Sequence, residues 1–383
     1  MSREFLTPKK IITGENAIEN SIKYLAAMGK KPLIVSGRIV SELEPFKILT
    51  KSLSEQGMEY AVFKDITGEP TDVMIEKGLF AYRENGCDFL IGMGGGSPID
   101  AIKAIAVLDV CGGKLSNYMG KEISGNLPPM AAIPTTAGTG SEATKFTVIT
   151  DAETDVKMLL KGEVLLPDLA IIDYTNTKSS PKGITASTGL DALTHAVEAY
   201  TSKQAQPLTD ALALSAVKRI FKYLPIAYDN GNDDTARYEM SVAALEAGIC
   251  INNSSVTIVH GMSRPIGALF HVPHGLSNAM LLCKCMDFAK DGAAERFAEL
   301  SRAVGTASAL DSDETAADKF IGGLREICKK CEVPTISEYG INTDEFLNAI
   351  PKMTSDALAS GSPSNTRKSV SEKDVARIYK SLV

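Results

Sequence analysis

Between residues 32 and 173 the chain repeats one pattern: a short apolar run, then a helical stretch, then another apolar run. The runs are Pro32-Leu33-Ile34-Val35-Ser36, Tyr60-Ala61-Val62-Phe63, Asp88-Phe89-Leu90-Ile91-Gly92-Met93, Met130-Ala131-Ala132-Ile133 and Ala170-Ile171-Ile172-Asp173. Helical stretches follow Gly37 to about residue 56 and then cover 73–85 and 98–108. Strands that are apolar throughout are buried on both faces, and helical crossovers between them keep such strands parallel. From Pro181 onward the periodicity is helical, over 185–201, 208–223, 236–251, 293–304, 316–328 and 373–382, and strand-like runs are nearly absent. A chain of 383 residues exceeds one ordinary core. The sequence therefore predicts an α/β domain with a parallel sheet over 1–180 and an all-helical domain over 181–383. The boundary falls in Asn176-Thr177-Lys178-Ser179-Ser180-Pro181. No internal repeat is visible, and the polar segment 360–366 reads as a connector.

Charge narrows the partners. The net charge is -7, the pI is near 5.4, and no basic run reaches five residues. That argues against nucleic acid or an anionic membrane as a partner, but leaves room for an anionic small molecule bound by one Arg or Lys. The first residues form no apolar stretch of signal-peptide length and no segment approaches a membrane span, so the expected location is the cytoplasm. The seven cysteines are an odd number without a secreted context, and free thiols are expected. Cys283/Cys285 with Cys328/Cys331 would make a zinc site from two pairs. Against this, the first pair has a single intervening residue and Cys328–Cys331 reads as helix.

Histidine is scarce and concentrated. Of four in the chain, one lies in Gly189-Leu190-Asp191-Ala192-Leu193-Thr194-His195, and three lie between His260 and His274. Asp191 and His195 are four apart, so a helix stacks both on one face within reach of one ion. One carboxylate and three imidazoles, Asp191, His195, His260 and His274, suit Fe²⁺ or Zn²⁺ rather than Ca²⁺ or Mg²⁺. The alternative is a set of satisfied core or cap histidines.

Two glycine-rich segments each follow a strand. Gly94-Gly95-Gly96-Ser97-Pro98-Ile99-Asp100 opens a helix, where backbone amides unobstructed by Cβ atoms suit a phosphate. It departs from the G-x-G-x-x-G fingerprint. Pro134-Thr135-Thr136-Ala137-Gly138-Thr139-Gly140-Ser141-Glu142 offers hydroxyls for ribose and phosphate. Two such loops in a parallel-sheet domain place a dinucleotide across the carboxyl ends of the strands.

These motifs, with Thr13-Gly14-Glu15-Asn16-Ala17 near the start, resemble the iron-containing (group III) alcohol dehydrogenases from end to end. That family shares its fold with glycerol dehydrogenase and dehydroquinate synthase. The resemblance implies an N-terminal dinucleotide-binding α/β domain, an all-helical metal-binding domain, and an active site between them. It implies metal ligation by Asp191, His195, His260 and His274. Gly37 and the Gly95, Gly96 and Ser97 loop would contact NAD(H) or NADP(H), with Thr135, Thr136, Thr139, Thr144, Phe146 and Lys157 flanking the adenine, ribose and nicotinamide. It also implies a homodimer.

Two positions depart from the family pattern. Many members carry an acidic residue after the first strand to accept bonds from the adenosine ribose. Here the chain reads Ser36-Gly37-Arg38, which would either admit a 2′-phosphate paired with Arg38 or leave Arg38 as a solvated helix-start residue. Four residues after His260, where many members have histidine, stands Arg264. Its fork matches carboxylate, sulfonate or phosphonate oxygens. Arg264 would hold the anionic head of a short aldehyde such as sulfoacetaldehyde or a semialdehyde, or would instead form a structural salt bridge to a facing loop. His271 would relay the proton to the substrate oxygen, or would be a cofactor-packing or surface residue. Asp100 and Lys103 read as support for the cofactor loop.

The expected activity is interconversion of a short-chain aldehyde and a primary alcohol by a metal- and NAD(P)-dependent oxidoreductase, running as an aldehyde reductase on a small anionic aldehyde. The alternatives are a dehydrogenase of neutral alcohols or diols, and a metal- and dinucleotide-dependent lyase or synthase of the same fold.

Overall fold

The computed structural model describes residues 2–383. The chain divides into two compact units, one spanning Leu6–Ser180, the other Pro181–Val383 together with the N-terminal residues up to Phe5. Those first residues, expected with the α/β domain, belong instead to the helical unit. Gln206 there donates to the Glu4 carbonyl at 3.1 Å, and the Arg3 guanidinium donates to the Ala205 carbonyl.

The first unit is built on a six-stranded sheet. Its strands are β1 (Lys10–Thr13), β2 (Pro32–Val35), β3 (Ala61–Phe63), β4 (Phe89–Gly94), β5 (Met130–Pro134) and, after a hairpin, β8 (Leu169–Ile172). The order is β1-β8-β5-β4-β2-β3 and every pairing is parallel. Successive side chains point to opposite faces. Leu33, Val35 and Leu90 enter one core with Ile102 and Ile105, while Ile34, Phe89, Ile91 and Met93 enter the other with Ile18, Leu49 and Leu53. Helices α1 (Ala17–Leu25) and α2 (Glu44–Glu55) thus cover one face, and α3 (Asp72–Glu84) and α4 (Gly96–Cys111) the other. Each fully buried Leu, Ile or Phe contributes about 1.5–3 kcal/mol, which is why both faces demand cover.

The chain runs from β2 outward to β3 and returns on the other side of β2 to form β4. Such a reversal leaves a crevice at the strand carboxyl ends. Gly37 follows β2 there and the glycine loop follows β4. In this unit the sequence reading misses β1 and α1, which precede its first run at residue 32, and an antiparallel hairpin of β6 (Phe146–Thr150) and β7 (Lys157–Lys161). Its strands alternate buried and exposed residues, so they lack the continuous apolar run that marks the parallel strands.

The second unit holds α5 (Lys182–Thr201), α6 (Pro207–Asp229), α7 (Asp234–Ser254), α8 (Ile258–Phe270), α9 (His274–Ala289), α10 (Ala294–Val304), α11 (Asp313–Lys330), α12 (Thr343–Ala359) and α13 (Glu372–Lys380). The axes of α7 and α8 meet at 104°. The break falls at Ser255, whose φ of +64° ends α7. Among the described residues no single helix is long and apolar enough to cross a membrane.

Candidate metal and dinucleotide sites

Asp191, His195 and Glu198 stand at spacings of four and three along α5, so one face carries all three inward, and each is buried. Helix α8 supplies His260. A turn follows in which His271 takes the left-handed conformation at φ +54° and Val272 is buried, and α9 then starts at His274. The close approach of α9 to α5 depends on Gly275, where a Cβ would lie 2.5 Å from the Ser187 carbonyl oxygen.

One ligand atom from each of Asp191, His195, His260 and His274 lies within 4.8 Å of all the others. The Asp191 Oδ1 is 3.8 Å from His195 Nε2, 3.9 Å from His260 Nε2 and 3.7 Å from His274 Nε2. These three separations are longer than hydrogen bonds. Three of the four residues share one donor, Asn278 Nδ2, at 2.7 Å from Asp191 Oδ1, 3.1 Å from His260 Nε2 and 3.2 Å from His274 Nε2. An amide has two hydrogens and cannot satisfy three acceptors. Converging acceptors with too few protons are a donor set for a cation. Mixed carboxylate and imidazole ligation fits a divalent transition metal.

The protonation states agree with that role. Burial alone would raise the Asp191 carboxyl, but His195, His274, His260 and the Asn278 bond hold it below the usual carboxylate value. Burial, reinforced by His195 and His274, drives His260 well below the ordinary imidazole value, so it is neutral and can ligate. Its orientation is set by Glu198, a residue absent from the sequence reading. Glu198 Oε2 lies 2.5 Å from His260 Nδ1, while Oε1 accepts from the Thr257 hydroxyl and the Val259 amide, both at 2.7 Å. With its Nδ1–H given to Glu198, His260 turns its Nε2 lone pair into the cluster.

Arg264 is one turn beyond His260 on α8. It forms no salt bridge to a facing loop: among the described residues no carboxylate lies within ion-pairing distance. Its bond is to the Ser362 hydroxyl at 3.2 Å. Burial lowers the guanidinium from its ordinary value, partly offset by the Glu198 charge. The 360–366 segment is thus more than a connector, since Ser362 meets Arg264 and Pro363 packs on Gly261. His271 is exposed and outside the ligand cluster. The two-pair cysteine zinc site does not form: all seven cysteines are free, and Asp191–His195–His260–His274 is the one potential metal cluster among the described residues.

In the α/β unit the two glycine loops abut. A Cβ on Gly95 would lie 3.7 Å from Thr136 Oγ1, and one on Gly96 3.1 Å from Thr139 Cγ2. Gly95, Gly96, Ser97, Thr136 and Thr139 are partly accessible, whereas Thr135 is buried. Bare amides at the start of α4 beside two threonine hydroxyls fit a pyrophosphate and sugar. Gly94 makes the turn at φ +156°, where a side chain would collide with Pro98.

Behind the loops Lys103 is fully buried, and the three N–H groups of its ammonium are shared among five oxygens at 2.7–3.1 Å: Ser141 O, Ser141 Oγ, Thr144 O, Thr144 Oγ1 and Phe146 O. Thr144 and Phe146 are therefore anchored from behind by Lys103. Lys157 pairs with Glu69 at 2.8 Å. Arg38 is also committed: its Nε and Nη2 bond to Asp65 Oδ1 at 2.9 and 2.7 Å, with both side chains well exposed.

A family profile described as iron-containing alcohol dehydrogenase matches residues 8–174, and its C-terminal companion matches 185–383. The chain is 33% identical to an NAD-dependent methanol dehydrogenase of Bacillus methanolicus, each covered in full. Among solved structures, a 1,3-propanediol oxidoreductase superposes with a TM-score of 0.97 at 33% identity, again over all of both chains. A sulfoacetaldehyde reductase from Bifidobacterium kashiwanohense in complex with NAD⁺ superposes at 0.90 with 26% identity, over 100% of this chain and 99% of that one.

Proposed function

The chain belongs to the iron-containing alcohol dehydrogenase family, and from that premise we propose that this oxidoreductase reduces a short aldehyde with an anionic head group to the primary alcohol, using a nicotinamide cofactor. The observation that carries the substrate class is the Arg264 guanidinium. It is lodged one turn from His260 of the proposed ligand set, bonded to a neutral hydroxyl and matched by no carboxylate among the described residues.

A divalent ion on Asp191, His195, His260 and His274 would supply Lewis acidity at the substrate oxygen, and the nicotinamide would supply the hydride. The chain's own residues do the rest. Glu198 fixes the His260 ring, so the ligand set needs no rearrangement as charge develops on the substrate oxygen. Arg264 holds the anionic head with two parallel donors and so orients the carbonyl. His271 passes the proton at its exposed ring, through water, to the product oxygen. Gly95, Gly96 and Ser97 bind the pyrophosphate through backbone amides, with Gly37, Thr135, Thr136 and Thr139 around the nucleotide. Thr144, Phe146 and Lys157 shape the same pocket, Thr144 and Phe146 through the Lys103 anchor and Lys157 through Glu69.

The Asp65 carboxylate stands beside Gly37 and partly neutralises Arg38, which favours NAD(H) over NADP(H). The proposal includes a homodimer, checked by light scattering, and a cytoplasmic location. A neutral substrate is the second reading, because the relatives named for methanol and 1,3-propanediol act on uncharged alcohols.

Initial rates of NADH and NADPH oxidation by metal-replete enzyme, with sulfoacetaldehyde, succinate semialdehyde, glycolaldehyde and propanal, decide between the two. Higher kcat/KM on the anionic aldehydes supports the clamp. Preference for glycolaldehyde or propanal overturns it.

A further inference from the structure

The cysteines that form no metal site bring two thiols together. Cys283 on α9 and Cys328 on α11 share a hydrogen bond with their Sγ atoms 3.8 Å apart. Cys283 is half-buried, whereas Cys328 behind it is nearly covered. The hydrogen bond to Cys328 draws the Cys283 thiol below its usual value. Burial opposes this, while the nearby cations of Arg325 and Lys284 add to it. Asp287, the acidic group beside them, is itself engaged by Lys290 at 2.8 Å and Arg325 at 3.4 Å. An accessible thiol in cationic surroundings, with a second thiol behind it, has the arrangement of an attacking and a resolving cysteine.

We propose that Cys283 and Cys328 form a reversible redox modification site that takes low-molecular-weight disulfides of the glutathione class. The Cys283 thiolate attacks one sulfur of the oxidant. The oxidant's S–S bond breaks, and the departing thiolate takes up a proton. Cys328 loses its proton to solvent and attacks Cys283 Sγ, expelling the second small thiol. The two protein thiols lose two electrons, and one disulfide becomes two thiols. The sulfurs must close by about 1.8 Å to reach bonding distance, within the reach of side-chain rotation and a small helix shift. Helix α9 begins at His274 and carries Asn278, so the cross-link would tie the ligand-bearing helix to α11 about 13 Å from the ligand.

The other cysteines offer no equal. Cys285 is fully buried against Met262, with its sulfur 3.7 Å from Sδ, and Cys87, Cys111 and Cys250 make no thiol contact among the described residues. Cys331, near Cys328 at the end of α11, is the competing resolver.

The test uses the full-length, metal-loaded enzyme equilibrated with glutathione disulfide, blocked with N-ethylmaleimide, digested and read by mass spectrometry. The expected result is one intrachain link between the Cys283 and Cys328 peptides, reversed by dithiothreitol. Cys328→Ser should trap a glutathione adduct on Cys283, and Cys331→Ser should leave the link intact. Circular dichroism melts of each variant report whether it is folded. Three outcomes overturn the proposal: Cys283 and Cys328 both fully alkylated, a lasting glutathione adduct in the wild type, or a Cys328–Cys331 link.

Discussion

Glu198 Oε2 and His260 Nδ1 lie 2.5 Å apart in a buried setting, so a carboxylate that would not touch the metal governs a histidine that would. Glu198→Gln keeps the shape but replaces the ionic acceptor with an amide. Metal affinity should fall about 10–100-fold, measured by competition with a chromogenic chelator. A change under about twofold would mean that packing alone orients the His260 ring.

Arg264→Ala separates head-group binding from chemistry. For an anionic aldehyde KM should rise by about 10-fold or more, the loss expected for a charge-assisted bond. For a neutral aldehyde of similar size KM should stay within about twofold. Equal losses on both substrates would make Arg264 a structural residue that supports the 360–366 segment.

Cofactor choice should respond to Asp65. Its pair with Arg38 is exposed and worth about 0–1 kcal/mol, so little holds the guanidinium back. Asp65→Asn removes one negative charge and frees one positive charge beside Gly37. The NADPH to NADH ratio of kcat/KM should rise up to about fivefold, and an unchanged or lower ratio would place the 2′-position away from Arg38.

Glu142 gives a pH signature. Burial raises its carboxyl from the ordinary value to about 7, with its own backbone amide and Lys103 pulling partly back. The folded chain therefore holds a proton that the unfolded chain releases near pH 4.5. This contribution is complete below that value and is lost as the pH rises through about 7. The melting temperature of Glu142→Gln should fall less between about pH 5 and 8 than that of the wild type, by on the order of 2–4 °C. Parallel curves would show that Glu142 is ionised throughout.

Legibility in the sequence followed locality. The central parallel strands announce themselves because burial on both faces leaves only apolar residues, as in β4, whereas the edge strand β1 is half-exposed and mixed in character. Asp191 and His195 are one helical turn apart, and the same spacing carried three residues further reaches Glu198. That signal was present, but a glutamate on a helix reads first as a solvated residue. Helices α8 and α9 were hidden by the poor helix formers Gly261, Pro265, Gly267 and Gly275, of which Gly261 here allows close packing on Pro363 and Gly275 on the Ser187 carbonyl. Ser362 as a partner of Arg264, and Asp65 as a partner of Arg38, are meetings of distant segments and leave no local trace.

The allotment of the residues up to Phe5 to the helical unit has a practical consequence for anyone cutting the protein. The polypeptide passes between the units twice, once after Phe5 and again after Ser180. A protease nick near Ser180 severs only one of these two passages. The released N-terminal piece keeps its grip on the rest through Gln206 on the Glu4 carbonyl and through Arg3 on the 204–205 turn. An expression fragment begun at Pro181 would instead lack that clasp and leave the Gln206 amide with the Asn253 carbonyl in place of two acceptors.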